Sequence, residues 1–128
     1  MNESRLVGFI ALGALAYLAG CGSSYTATLQ GQTPMPDGSW LTPTAGNLHT
    51  GMATAFTPQV TESDTWGQSQ QTSDIVVASN DPSVLQAAAV TNGGQWIVWA
   101  VAPGSAELTI TQNGNVAATI AVQVTDPP

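Results

Sequence analysis

Apolar and polar positions alternate along the end of the chain with a period of two. Val116, Ala118, Ile120, Val122 and Val124 fall on one face, and Ala117, Thr119, Ala121 and Gln123 on the other. That alternation marks residues 116–125 as a strand with one face against a core. Upstream, Gln95–Ala102 and Ser105–Gln112 read as strands bounded by Pro103-Gly104 and Asn113-Gly114-Asn115. Val84–Val90 is a further strand, joined to the next by the hairpin signal Thr91-Asn92-Gly93-Gly94. Asp74–Ser79 (DIVVAS) precedes it across the turn Asn80-Asp81-Pro82.

The pattern is weaker in the first half. Ser23–Gln30 alternates around Tyr25, Ala27 and Leu29 and reads as a strand. Residues 31–51 carry three prolines and several glycines, which predicts an extended loop with one short edge strand near Trp40. Met52–Phe56 is a strand closed by Pro58. The polar stretch Thr57–Asp74 is too long for a structureless loop in a compact domain, so a hidden strand is expected around Val60. Short strands separated by turn signals predict an all-β chain folded as a β-sandwich.

Residues 6–18, LVGFIALGALAYL, break this pattern. They form a run of thirteen residues without a charge. A bilayer-spanning helix needs about 20 apolar residues, whereas a signal peptide core needs fewer. Arg5 supplies the positive flank and small residues precede Cys21, the one cysteine of the chain. Leu18-Ala19-Gly20-Cys21 resembles the lipobox of bacterial lipoproteins. That resemblance implies cleavage before Cys21, diacylglycerol on its thiol, and acylation of the new amino group. It gives residues 1–20 as signal peptide, 21–24 as lipidated cysteine and tether, and 25–126 as the sandwich domain. Gly22, where an inner-membrane lipoprotein would carry aspartate, implies the outer membrane in a Gram-negative host. In other hosts the expected place is the outer face of the plasma membrane.

The charge of the remaining 108 residues (21–128) narrows the partners. They contain no lysine or arginine and seven acids: Asp37, Glu62, Asp64, Asp74, Asp81, Glu107 and Asp126. Nucleic-acid binding requires cationic groups to neutralise phosphates, so that class is excluded. Adsorption of the domain itself to anionic lipid is disfavoured for the same reason. The membrane is therefore met through the lipid on Cys21, and any other partner is a protein or glycan. No glycine-rich loop follows a strand and opens a helix, so no nucleotide is expected.

A second resemblance rests on SNDPSV (79–84), AVAPGSAELTI (100–110) and TIAVQV (119–124). Together these resemble the bacterial immunoglobulin-like domain, group 2, well over residues 74–125 and only by extension over 24–73. The resemblance implies an immunoglobulin-like β-sandwich of about seven strands, with core positions at Val98, Ala100 and Leu108. The family often has tryptophan where this chain has Val77, so Trp96 or Trp66 is expected to fill the gap. It also favours lysine where Ala102 stands. Near position 99 the family usually carries polar residues, but this chain has tryptophan. If Trp96, Val98 and Ala100 face the core, then Ile97, Trp99 and Val101 face outward. That row is the candidate interface, unless residues 31–51, with Trp40 and Leu41, fold over it.

Candidates for chemistry are few. His49 is the sole histidine and lies in a Gly- and Thr-rich loop with no nucleophile-elbow sequence nearby. Glu62 and Asp64 are the one close carboxylate pair and would share a strand face. Asn80, Asp81 and Asp126 could meet at one pole, but turn chemistry explains them as well. The sequence thus predicts no catalytic residue, no cofactor and no metal ligand set. Its expected role is a non-catalytic adhesion or binding module, or else an accessory subunit of an envelope assembly.

Overall fold

The computed structural model describes residues 23–90 and 94–127. Cys21, the residues before it that read as a signal peptide, and most of the Thr91–Gly94 segment lie outside the described residues. The strands are β1 (Ser24–Gln30), β2 (Trp40–Leu41), β3 (Ala45–His49), β4 (Ala53–Asp64), β5 (Gly67–Gln71), β6 (Ile75–Ser79), β7 (Leu85–Ala89), β8 (Trp96–Ala100), β9 (Gly104–Gln112) and β10 (Asn115–Thr125). The described residues form ten strands where about seven are expected: beside the edge strand expected near Trp40 (β2), the first half contributes the short β3 and β5.

Two five-stranded sheets pack face to face as a β-sandwich. The first has the order β1-β4-β8-β7, with β5 also paired to β4, and the second the order β2-β3-β10-β9-β6. All pairs are antiparallel except β3 with β10. Between the sheets lie Leu48, Phe56, Val60, Leu85, Val98, Leu108, Ile110 and Ile120, all fully buried. Val98, Ala100 and Leu108 occupy the core positions expected of them. Val77 is also buried, with Trp96 half-buried against the same core; Trp66 does not fill it and is 93% exposed.

β4 is the longest element, and its partners change along its length. β8 pairs with Ala53–Phe56, β5 with Val60–Asp64 and β1 with Thr57–Ser63. Pro58 therefore does not close the strand as expected. Ala55 exchanges hydrogen bonds with Thr33, directly after β1, so alternation turns the nitrogen of Pro58 to the opposite edge. There it falls in the interval between the β8 and β5 ladders, where no N–H is needed.

In β10 the alternation holds from Ile120 to Val124 but not at its start. A β-bulge between Val116 and Ala118 adds one residue, so the phase shifts and Val116 is exposed. The turn into β10 is tight, with Asn113 at φ 52° and Gly114 at φ 85°, the positive dihedrals that a two-residue hairpin demands.

Candidate functional site

On the first sheet, neighbouring strands place paired residues on a common face. Trp99 lies opposite Ala53 of β4 and Gln86 of β7; Ile97 lies opposite Ala55 and Ala88. Phe56, Val98 and Leu85 belong to the core parity, so the Ile97 and Trp99 row faces away from the sandwich. Ile97 and Trp99 are half-buried and Val101, just past β8, is 39% exposed. Alanines flank Ile97 on both sides, whereas Trp99 has Ala53 on one side and Gln86 on the other. The result is a continuous apolar strip.

The cover considered for this strip is not formed by Trp40 and Leu41. β2 pairs with β3 in the second sheet, Leu41 enters the core and Trp40 is half-exposed. Gly46 makes this pairing possible, because a Cβ there would lie 2.6 Å from Leu41 Cδ1. The segment before β2 runs at the edge of β4 instead. There Thr33 N–H donates to Ala55 O (2.9 Å), and the buried Thr54 hydroxyl donates to Thr33 O (2.8 Å).

Sequence reasoning did not find what His49 does. Its Nδ1 lies 2.7 Å from Asp37 Oδ2, while the other carboxylate oxygen accepts the Ser39 backbone N–H (3.0 Å). Ser39 Oγ in turn accepts the backbone N–H of His49 (3.0 Å). Serine, histidine and aspartate thus come together, but the hydroxyl is held by a backbone amide and Ser39 is buried. A nucleophilic serine would need its hydroxyl on the imidazole and open to substrate. The arrangement ties the 36–39 turn to β3.

This tie has a pH signature. Burial pushes the Asp37 carboxyl up, but hydrogen bonds from Ser39 and His49, with attraction to His49, outweigh it and hold the carboxyl below its ordinary value. A depressed folded value stabilises the fold above the unfolded value near 3.9 and is lost as pH falls through the folded one. Melting temperature should therefore drop below about pH 4, and Asp37→Asn should make that acid limb shallower. Superimposable acid limbs for the two proteins would refute the assignment.

The remaining candidates are engaged in local structure. Asp81 Oδ1 accepts from Ser83 N–H (3.1 Å) and Oγ, and Asn80 Oδ1 accepts from Glu107 N–H (2.8 Å). Among the described residues no three of His, Cys, Asp and Glu gather closely enough to hold a metal ion. Glu62 and Asp64 do share a face of β4. Glu62 accepts from the Tyr25 hydroxyl (3.3 Å) and Asp64 from the Trp66 N–H (2.8 Å). Burial, then the nearby Glu62 charge, raises the Tyr25 phenol. A groove over the second sheet contains Asn80, Ser105, Glu107 and Gln123, and its side chains are largely paired with each other or with backbone.

No family model and no curated protein matches the chain. Among solved structures, domains 4 and 5 of the S-layer protein SbsC align with a TM-score of 0.50 at 19% identity. That alignment covers 88% of this chain and 81% of the other. Domains 5–6 of the same protein align with a TM-score of 0.46 at 25% identity, over 61% of this chain and 38% of that one. The similarity to domains 4 and 5 supports a common β-sandwich fold.

Proposed function

We propose that the chain is a lipid-anchored, extracytoplasmic immunoglobulin-like module that binds a protein or glycan without catalysing a reaction. The observation that carries the binding role is the outward-facing row of half-buried Ile97 and Trp99 with exposed Val101, since contiguous outward apolar surface tends to mark an interface. Trp99 is its anchor, as a large amphipathic ring beside Ala53. The anchor role rests on LAGC directly after the apolar run, with acyl chains on Cys21 burying about 0.8 kcal/mol per CH₂ in the bilayer. The likeness to S-layer protein domains accords with an envelope location, and the group 2 bacterial immunoglobulin-like motifs accord with a binding module. With the Ser39 hydroxyl tied to backbone, the Asp37–His49 pair serves structure.

A second role uses the same strip, with the domain facing the periplasm as an accessory subunit of an envelope assembly. Protease treatment of intact cells carrying an epitope-tagged copy separates the two, beside a Cys21→Ser variant. Surface display predicts cleavage in intact cells, and the lipid anchor predicts loss of Cys21→Ser from the membrane fraction. Protection until the envelope is opened would rule out adhesion. Retention of Cys21→Ser in the membrane would rule out the anchor.

A further inference from the structure

The β4–β5 hairpin extends past the core. Burial along β4 is complete at alternate residues up to Val60 and ceases from Thr61 onward, and Gly67–Gln70 of β5 are exposed. The turn is the two-residue connection Thr65-Trp66, held by Asp64 Oδ1 accepting the Trp66 N–H, with Gly67 at φ 142°. At its tip Trp66 is 93% exposed, far more than the half-exposed Trp40. A tryptophan placed wholly in water by a well-defined turn calls for an occupant.

The register identifies one. β1 pairs with β4 so that Ser24 lies opposite Ser63, and the chain therefore enters the sandwich beside the hairpin tip. Cys21 precedes Ser24 by three residues, which reach at most about 10 Å. Asp64 pairs with Gly67 across the turn, so Trp66 projects about two residues past Ser63, about 7 Å along the strand direction. A lipid on Cys21 would thus lie at the same pole of the molecule as the indole of Trp66 and within reach of its level. The tether is too short to hold this pole far from the bilayer.

From this we infer that the hairpin tip rests in the headgroup region of the bilayer, with Trp66 inserted there; the inference depends on the lipid anchor proposed above. An indole suits that layer, because its ring is apolar and its N–H finds a polar partner. The contact is not electrostatic. Glu62 and Asp64 are the charged groups of the hairpin, and no lysine or arginine follows Cys21 to draw anionic lipid. Tyr25, opposite Glu62, adds a second amphipathic ring beside the tip. The domain then stands with its long axis away from the membrane. Trp99, paired to Ala53 at the other end of β4, is carried to the distal pole.

The test uses full-length protein extracted from membranes and placed in phosphatidylcholine vesicles, with acylation of Cys21 read by mass spectrometry. Trp66→Phe alters an exposed side chain, and circular dichroism confirms that its fold is retained. Subtracting its fluorescence from that of the parent isolates Trp66 from the other three tryptophans. The expected difference spectrum is blue-shifted, quenched by lipids labelled near the headgroup and shielded from aqueous iodide. The soluble Cys21→Ser chain should lose all three properties. An acylated, vesicle-bound chain whose Trp66 signal is quenched by iodide as in Cys21→Ser would overturn the tip contact and leave the anchor standing. An unmodified Cys21 would bring down the anchor and, with it, this inference.

Discussion

Phe56→Ala should cost about 3–5 kcal/mol, much of the stability expected of a small domain. Phe56 is fully buried on β4, in a row with Thr54, Pro58 and Val60 that faces the second sheet. The loss has two parts, the transfer free energy of the ring and a cavity that the surrounding strands cannot close. Its strand is hydrogen-bonded along both edges, since β4 is an interior strand here, between the Thr33 segment and β8. Denaturant unfolding gives the number, as a lower midpoint with an unchanged slope. Val116→Ala is the control, because Val116 is 57% exposed beyond the bulge and should shift stability by less than about 0.5 kcal/mol. A loss below about 1 kcal/mol at Phe56 would mean the core is not packed as described.

Gly104→Ala should be nearly as damaging through a different route. Gly104 opens β9 at φ +150°, a conformation that side-chain-bearing residues rarely adopt. A Cβ built there lies 2.9 Å from Val84 Cγ2. Backbone strain of about 1–3 kcal/mol and overpacking of about 1–3 kcal/mol together give roughly 2–5 kcal/mol. The two parts are separable. Val84→Ala removes the clash but not the dihedral, so the double variant should be more stable than the sum of the single losses implies. Strict additivity would show that the contact with Val84 contributes nothing.

Where the chain alternates and one face meets the core, the sequence reveals the fold. Most of β10 and all of β8 were legible on that basis, and so was the outward parity of Ile97 and Trp99. The misassigned Val116 shows the limit, since one inserted bulge residue reverses every face before it. β5 was invisible for another reason. GQSQQ is polar at every position, because the hairpin leaves the sandwich and has no core to face. β3, AGNLH, is held by a parallel ladder to β10, a backbone interaction that side chains do not announce.

The candidate site divides along the same line. A strand parity can be counted from sequence, but Asp37 meets His49 only because β2 doubles back onto β3, and that hairpin lies among prolines and glycines. From sequence, Trp66 and Trp96 are both candidates to fill the core gap at Val77, and Trp96 is the one that packs against the core. Asp64 and Gly67 make a turn around Trp66, and nothing in their identity says that the turn stands clear of the body.

The antiparallel pairing of β1 with β4 has a mechanical consequence. Thr50 N–H donates to Thr125 O and Gly51 N–H to Ala100 O, so the end of β10 lies near the start of β4, at the pole opposite Ser24. With the lipid proposed on Cys21, a pull between that lipid and a partner held at the distal pole would run along β1. The rungs from Ser24–Ser63 to Gln30–Thr57 cross that direction at right angles. They would be loaded in shear and share the force, instead of opening one after another like a zipper, so the first strand resists being peeled from the domain.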